Sequence, residues 1–155
     1  MRSLKITPHH GLDNILFGMD RSEVRTTAEM MGFPLAHSSG DSDYFGRSEI
    51  EVEFSDGTAS FIAVNANASF VTNLNGLDVF DTAAENVFSS IAKNETDSHE
   101  YVPEEYLFPD QVVALWGADT QYDYRSEKGR PIWGQVAIGD SRYLKFCQEL
   151  SRLEI

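Results

Sequence analysis

The densest group of chemistry-capable side chains in this sequence lies between Trp116 and Trp133. It holds Trp116, Asp119, Tyr122, Asp123, Tyr124 and Trp133, with Phe108 nearby. Tyrosine and tryptophan give a binding surface large contact area at small entropic cost, and each carries a polar tip. The interleaved aspartates add negative charge, so the pattern suits contact with a basic protein. Two readings stand side by side. In one, an inserted loop between two strands carries these residues to a partner. In the other, the tryptophans are core residues on paired strands and the tyrosines pack over them.

Other chemistry-like patterns are incomplete. Asp41-x-Asp43-x-Phe45-Gly46 opens like a calcium loop, yet Phe45 and Val52 stand at the fifth and twelfth positions, where an oxygen ligand and a bidentate Glu are needed. Gly-Asp-Ser occurs at 40–42 and at 139–141, in neither case with the flanking glycines of a nucleophile elbow. His9 and His10 point different ways from a Pro/Gly loop, and Cys147 is the sole cysteine, so no metal-ligand set is read. No glycine-rich phosphate loop is present. The sequence therefore points to no catalytic residue, no metal and no cofactor, and leans away from an enzyme.

These side chains need a scaffold, and its best-specified part is Tyr44–Val64. Ile50, Val52 and Phe54 alternate with Glu51 and Glu53, then Asp56-Gly57 turns the chain into Ala59, Phe61 and Ala63. Asp-Gly between alternating runs signals a type I′ hairpin, because both central residues need positive φ. A two-residue loop sets Phe54 opposite Ala59, Val52 opposite Phe61 and Ile50 opposite Ala63, all on one apolar face. Residues 2–6 read as an edge strand ended by Pro8. Asp20 and Glu23 have capping-box spacing, and Val24, Thr27, Ala28 and Met31 recur at helical period, which predicts a helix over 21–31. Phe70–Leu74 reads as a third strand. Thr82 and Glu85 start a helix over 82–93 with Ala84, Val87, Phe88 and Ile91 as its buried stripe. Residues 106–117 and 132–138 read as strands, and 118–131 as the long loop between them. For 142–147 both strand and helix fit, the latter with Ser141 as cap.

The pattern Tyr44-x4-Glu49-Ile50-x-Val52-x-Phe54 returns, offset by 62, as Tyr106-x4-Gln111-Val112-x-Ala114-x-Trp116, and the two helix starts are offset by 61. An internal repeat over 11–75 and 76–147 accounts for both. It would make 142–147 a strand. The expected fold is α+β: an antiparallel sheet with two helices on one face, and the opposite face partly open as a binding surface.

Length and charge narrow the partner. A chain of 155 residues reads as one domain and buries roughly 68–70% of its unfolded surface. The 25 acids against 12 bases give a net charge of −13, which disfavours nucleic acid and anionic membrane and permits a basic protein. A lone cysteine fits a reducing compartment, and MRSLKITPHH shows no apolar leader segment, so a soluble cytoplasmic protein is expected.

Phe17-Gly18-Met19-Asp20-Arg21-Ser22-Glu23-Val24 followed by Gly32-Phe33-Pro34 resembles the first helix of several small bacterial families. They include outer-membrane assembly lipoproteins of the SmpA/OmlA kind and β-lactamase inhibitory proteins, the latter built from two helix-plus-sheet repeats. With the Tyr-rich strand, the Asp-Gly hairpin and Gly76-x-Asp78-Val79-Phe80, the chain is also similar to bacterial immunity partners of polymorphic toxins. The resemblance covers residues 11–92 and departs from these families in having no lipobox cysteine and no disulfide. It implies a binding or inhibitory module, and carries over no residue role. The expectation is thus an acidic module binding another, basic protein. The alternatives are a small-ligand binder or enzyme on the open sheet face, using Asp119, Asp123, Tyr124 and His99, and a homodimer through that face.

Overall fold

A computed structural model describes residues 2–119 and 129–153. The chain runs β1 (Ser3–Thr7), β2 (Gly11–Leu12), β3 (Ile15–Leu16), α1 (Arg21–Met30), β4 (Leu35–Ser39), β5 (Ser42–Phe45), β6 (Ile50–Ser55) and β7 (Thr58–Asn65). It continues with β8 (Val71–Leu74), β9 (Leu77–Asp78), a 3₁₀ turn (Val79–Asp81), α2 (Ala84–Ala92), β10 (Glu105–Phe108), β11 (Val113–Trp116), β12 (Gln135–Gly139) and α3 (Ser141–Leu153). The fold is α+β. A seven-stranded antiparallel sheet has the order β10-β11-β12-β7-β6-β5-β4, and a five-stranded one the order β3-β2-β1-β8-β9.

The inner face of the large sheet supplies Phe45, Ile50, Val52, Ile62, Val64, Phe108, Val113, Leu115, Val136 and Ile138 to one core. Val24 and Ala28 of α1, the predicted stripe of α2 and Leu4, Ile6, Leu12 and Leu74 of the small sheet close over it. α1 and α2 therefore share one face. Asp20 caps α1 in a reciprocal box with Glu23. α2 begins two residues later than expected and has no side-chain cap; the Ala84 amide donates instead to the Pro131 carbonyl at 3.0 Å. A tertiary contact replaces the local one.

Four further expectations are corrected. β1 is not an edge strand: it lies between β2 and a parallel partner, β8, so the third strand leaves the hairpin and joins the second sheet. Residues 106–117 are not one strand. They fold into the β10–β11 hairpin, where Val112 takes φ 53° and Phe108 closes on Val113. Segment 142–147, for which strand and helix both fit, is helical, which overturns the strand that the repeat implies, and Asp140 rather than Ser141 caps it, accepting from the Arg142 amide at 2.9 Å and the Tyr143 amide at 3.3 Å.

The fourth concerns register. Asp56 (φ 51°) and Gly57 (φ 82°) make the expected turn, and Phe54 faces Ala59. Beyond it a bulge intervenes: Glu53 faces Phe61, Val52 faces Ile62 and Ile50 faces Val64. One extra residue, Ser60, reverses the faces of everything after it on β7. The large β-branched Ile62 and Val64 turn to the main core, and Phe61 and Ala63 turn outward.

The large sheet is arranged about β7 and β12. Ile62 faces Ile138, Ala63 faces Ala137 and Val64 faces Val136. On the flanks, Ile50 faces Val64 and Val52 faces Ile62, while Val113 faces Ile138 and Leu115 faces Val136. About Ala63 and Ala137, β7-β6-β5 and β12-β11-β10 thus pair in corresponding registers with β4 left over, Ile50 matching Val113 and Val52 matching Leu115, one residue off the offset of 62 read from the sequence.

Candidate functional site

Of the aromatic-acidic group read from the sequence, the fold separates Trp133 from Trp116. Trp133 is fully buried, its indole Nε1 donating to the Ala84 carbonyl at 2.9 Å; it is a core residue. Asp119 is exposed at the end of the turn after β11. Tyr122, Asp123 and Tyr124 lie outside the described residues. Trp116 alone of the group stands on the outer sheet face, half-buried, its Nε1 donating to Glu105 Oε2 at 3.2 Å. His99 sits inside an aromatic box of Tyr106 and Phe108, its Nδ1 2.5 Å from the Tyr106 hydroxyl.

That outer face gathers a different set. Strand alternation turns Glu51 and Glu53 of β6 away from the core, beside Tyr44 on β5 and opposite Ala63 and Phe61 on β7. The bulge is what brings Phe61 to this side. Phe61 then meets the Tyr143 ring at 4.7 Å and the Trp116 ring at 6.3 Å, with Ala63 and Ala137 as the floor. Tyr44 stacks on His37 of β4 at 4.6 Å.

Tyr143 is placed by the start of α3. Arg142 reaches back across the β6–β7 turn, donating to the Ser55 carbonyl, to Thr58 Oγ1 at 2.9 Å and to the Ala59 carbonyl at 3.2 Å, while pairing with Asp140 at 2.8 Å. Gly139 gives the ring its room: a Cβ there would stand 2.5 Å from Tyr143 Cδ2. Burial pushes the Tyr143 hydroxyl pKa well up, and the nearby Cys147 and the charges of Glu53 and Glu105 push the same way.

The two β6 carboxyls are electrostatically costly. Burial raises the Glu51 pKa first and the charge of Glu53 raises it further, against the Tyr44 hydroxyl, which donates to Glu51 Oε2 at 3.5 Å. Burial likewise raises that of Glu53, which accepts from the Ser42 hydroxyl at 3.4 Å. Among the described residues, no ion pair includes Glu51, Glu53 or Glu105. Sequence reasoning placed Glu51 and Glu53 on the solvent side of the hairpin but gave them no role; their alternation with a buried run was the available signal.

On the inner side the opposite holds. Asp43 is fully buried and faces two guanidinium groups, Arg21 at 2.7 Å and Arg25 at 2.8 Å. Its burial favours the neutral acid, but the hydrogen bonds from Arg25 and Arg21 outweigh that and hold the carboxyl well below the ordinary carboxylate range. This cluster joins α1 to the β4–β5 hairpin and is fully satisfied.

Among the described residues no group of three or more His, Cys, Asp or Glu side chains could hold a metal, and no helix is long and apolar enough to cross a membrane. Ser42 follows the β4–β5 turn and Ser141 starts α3, and among the described residues no histidine hydrogen-bonds either serine. What the geometry defines is an α+β scaffold with an aromatic, acidic outer sheet face. Comparison with protein-family models, with curated proteins and with solved structures returns no match.

Proposed function

We propose that this protein is an acidic protein-binding module, of the kind that acts as an immunity-type inhibitor of a basic toxin domain. The observation that carries the reading is the pair Glu51 and Glu53: neighbouring, partly desolvated carboxyls on an aromatic sheet face, without a cation paired to them among the described residues. Such groups cost folding stability in the free protein, and a docked Lys or Arg removes that cost. Tyr44, Phe61, Trp116 and Tyr143 add anchoring area around them. The net charge of −13 steers a basic partner to the face.

We also infer that the two halves are copies of one unit, supported by their corresponding registers about Ala63 and Ala137. α3 then distinguishes the second copy and walls the face on that side only.

The test is co-purification with the product of the adjacent gene, at about 50 mM and about 500 mM salt. Capture that weakens at high salt and is lost with Glu51→Lys supports the reading. Absence of capture at both salts contradicts it.

A further inference from the structure

α3 lies against the outer sheet face without burying any of its own residues there. The large sheet divides the buried apolar side chains into two groups. The main core is on its inner side, and no residue of α3 belongs to it. On the outer side Phe61, Ala63 and Ala137 form a small separate cluster, and of α3 only Tyr143 packs against that cluster. The polar ties of the helix are equally local. Arg142 fastens the first turn to Thr58 Oγ1 at 2.9 Å and to the Ala59 carbonyl at 3.2 Å. Beyond Tyr143, among the described residues, no hydrogen bond or ion pair joins α3 to a strand or to another helix. The far half stands away from the sheet: Phe146, Leu150 and Leu153 are 56%, 44% and 81% exposed, and a cleft of about 480 Å³ lies between the helix and β10–β11. A helix held in this way opens at the expense of the outer cluster and the Arg142 bonds alone, leaving the main core intact. Asp140 is the natural hinge, because its amide remains bonded to the Ser60 carbonyl at 2.9 Å.

We propose that α3 is a hinged cover, which opens as a unit about Asp140 and uncovers Phe61, Ala63 and Ala137 for the basic partner. Phe61 is only 6% exposed, with the Tyr143 ring 4.7 Å over it. It meets a partner only once α3 has moved, and the same movement frees the facing side of the Tyr143 ring. α3 also carries the partner's kind of charge. It holds Arg142, Lys145 and Arg152 against one acid, Glu149, in a chain of −13. A basic helix thus occupies one side of an acidic face, and a basic protein competes with it for the same ground. The inference rests on the reading of the outer face as a surface for a basic partner, and adds how access to that surface is regulated.

The test measures amide hydrogen exchange in the full chain and in Arg142→Gln, over a series of low urea concentrations, beside the affinity of each for the adjacent gene product. Arg142→Gln removes the ties to the β6–β7 turn and touches no residue of the main core. In the natural chain the α3 amides are expected to exchange faster than those of β7 and β12, with a smaller dependence on urea, because opening exposes little surface. In Arg142→Gln, α3 exchange rises about tenfold and β7 and β12 exchange stays unchanged. The partner then binds tighter by the same factor, since apparent affinity scales with the open fraction while that fraction is small. Gly139→Ala, which lifts the same helix from the strand side, keeps the same proportionality and serves where Arg142→Gln loosens the whole fold. Exchange of α3 only together with β7 and β12, at the same urea dependence, would overturn the proposal. So would α3 exchange that is unmoved in both variants. A tenfold rise in α3 exchange with affinity unchanged or reduced would also overturn it, and would leave the acidic face as a partner surface that the closed form already presents. Capture of the gene product by none of these proteins would overturn the basic-partner reading and this regulation with it.

Discussion

Three carboxylates carry the electrostatics, and their environments pull them apart. Glu51 and Glu53 have folded pKa values above the ordinary range, so the folded state binds protons that the unfolded chain has released. Stability therefore falls as pH rises from the ordinary carboxylate range through the raised values. Glu51→Gln with Glu53→Gln removes that fall and raises the melting temperature at neutral pH by about 1–3 °C, checked by calorimetry from pH 4 to 8. Asp43 has the opposite sign. Its folded pKa is depressed, so its contribution is present above the unfolded value and lost as pH drops below about 4. Asp43→Asn leaves Arg21 and Arg25 facing a neutral group and lowers stability by about 2–3 kcal/mol, measurable by urea unfolding at pH 7. None of this was legible from residue type. Asp43 reads as part of a failed calcium loop, and Glu51 and Glu53 as a solvated strand face. Their roles follow from which neighbours the fold delivers.

At the scale of elements, locally encoded features were readable and tertiary ones were not. The capping box predicted α1 and the spacing of Val87, Phe88 and Ile91 predicted the buried face of α2, because both signals lie within a few residues. The Asp56-Gly57 turn was readable for the same reason. The bulge after Ala59 was not. The uninterrupted apolar run Phe61–Val64 fits either register, and the choice depends on α3 covering Phe61 from outside, more than eighty residues along the chain. α3 in turn depends on Gly139. Gly139→Ala drives a methyl into the Tyr143 ring and costs about 1–3 kcal/mol, with increased exchange of the α3 amides as the specific sign that the helix has lifted. If stability drops without that increase, the strain is absorbed in β12 instead.

For the whole molecule, the α+β class and the acidic charge were legible in the sequence, whereas the fold separates the two tryptophans that the sequence grouped together. Of the six residues singled out, Trp133 is core, Trp116 reaches the outer face, Asp119 is exposed, and the other three lie outside the described residues. Aromatic composition cannot separate an indole inside a sheet from one on its surface; strand register does. In the proposed function, an overall charge of −13 brings a basic partner in, and the β6 carboxyls, without an ion pair among the described residues, hold it. Binding should also strengthen as pH rises through the raised carboxyl values, since only the ionised groups pair with a cation.

The most direct measurement is the affinity and association rate of the adjacent gene product as a function of ionic strength, for the natural chain and for Glu51→Gln with Glu53→Gln. The expected result is an association rate that falls with salt, and a double variant at least as stable as the natural chain yet binding about tenfold to a hundredfold more weakly with a flatter salt dependence. Equal affinity and an equal salt slope in the two proteins would contradict it.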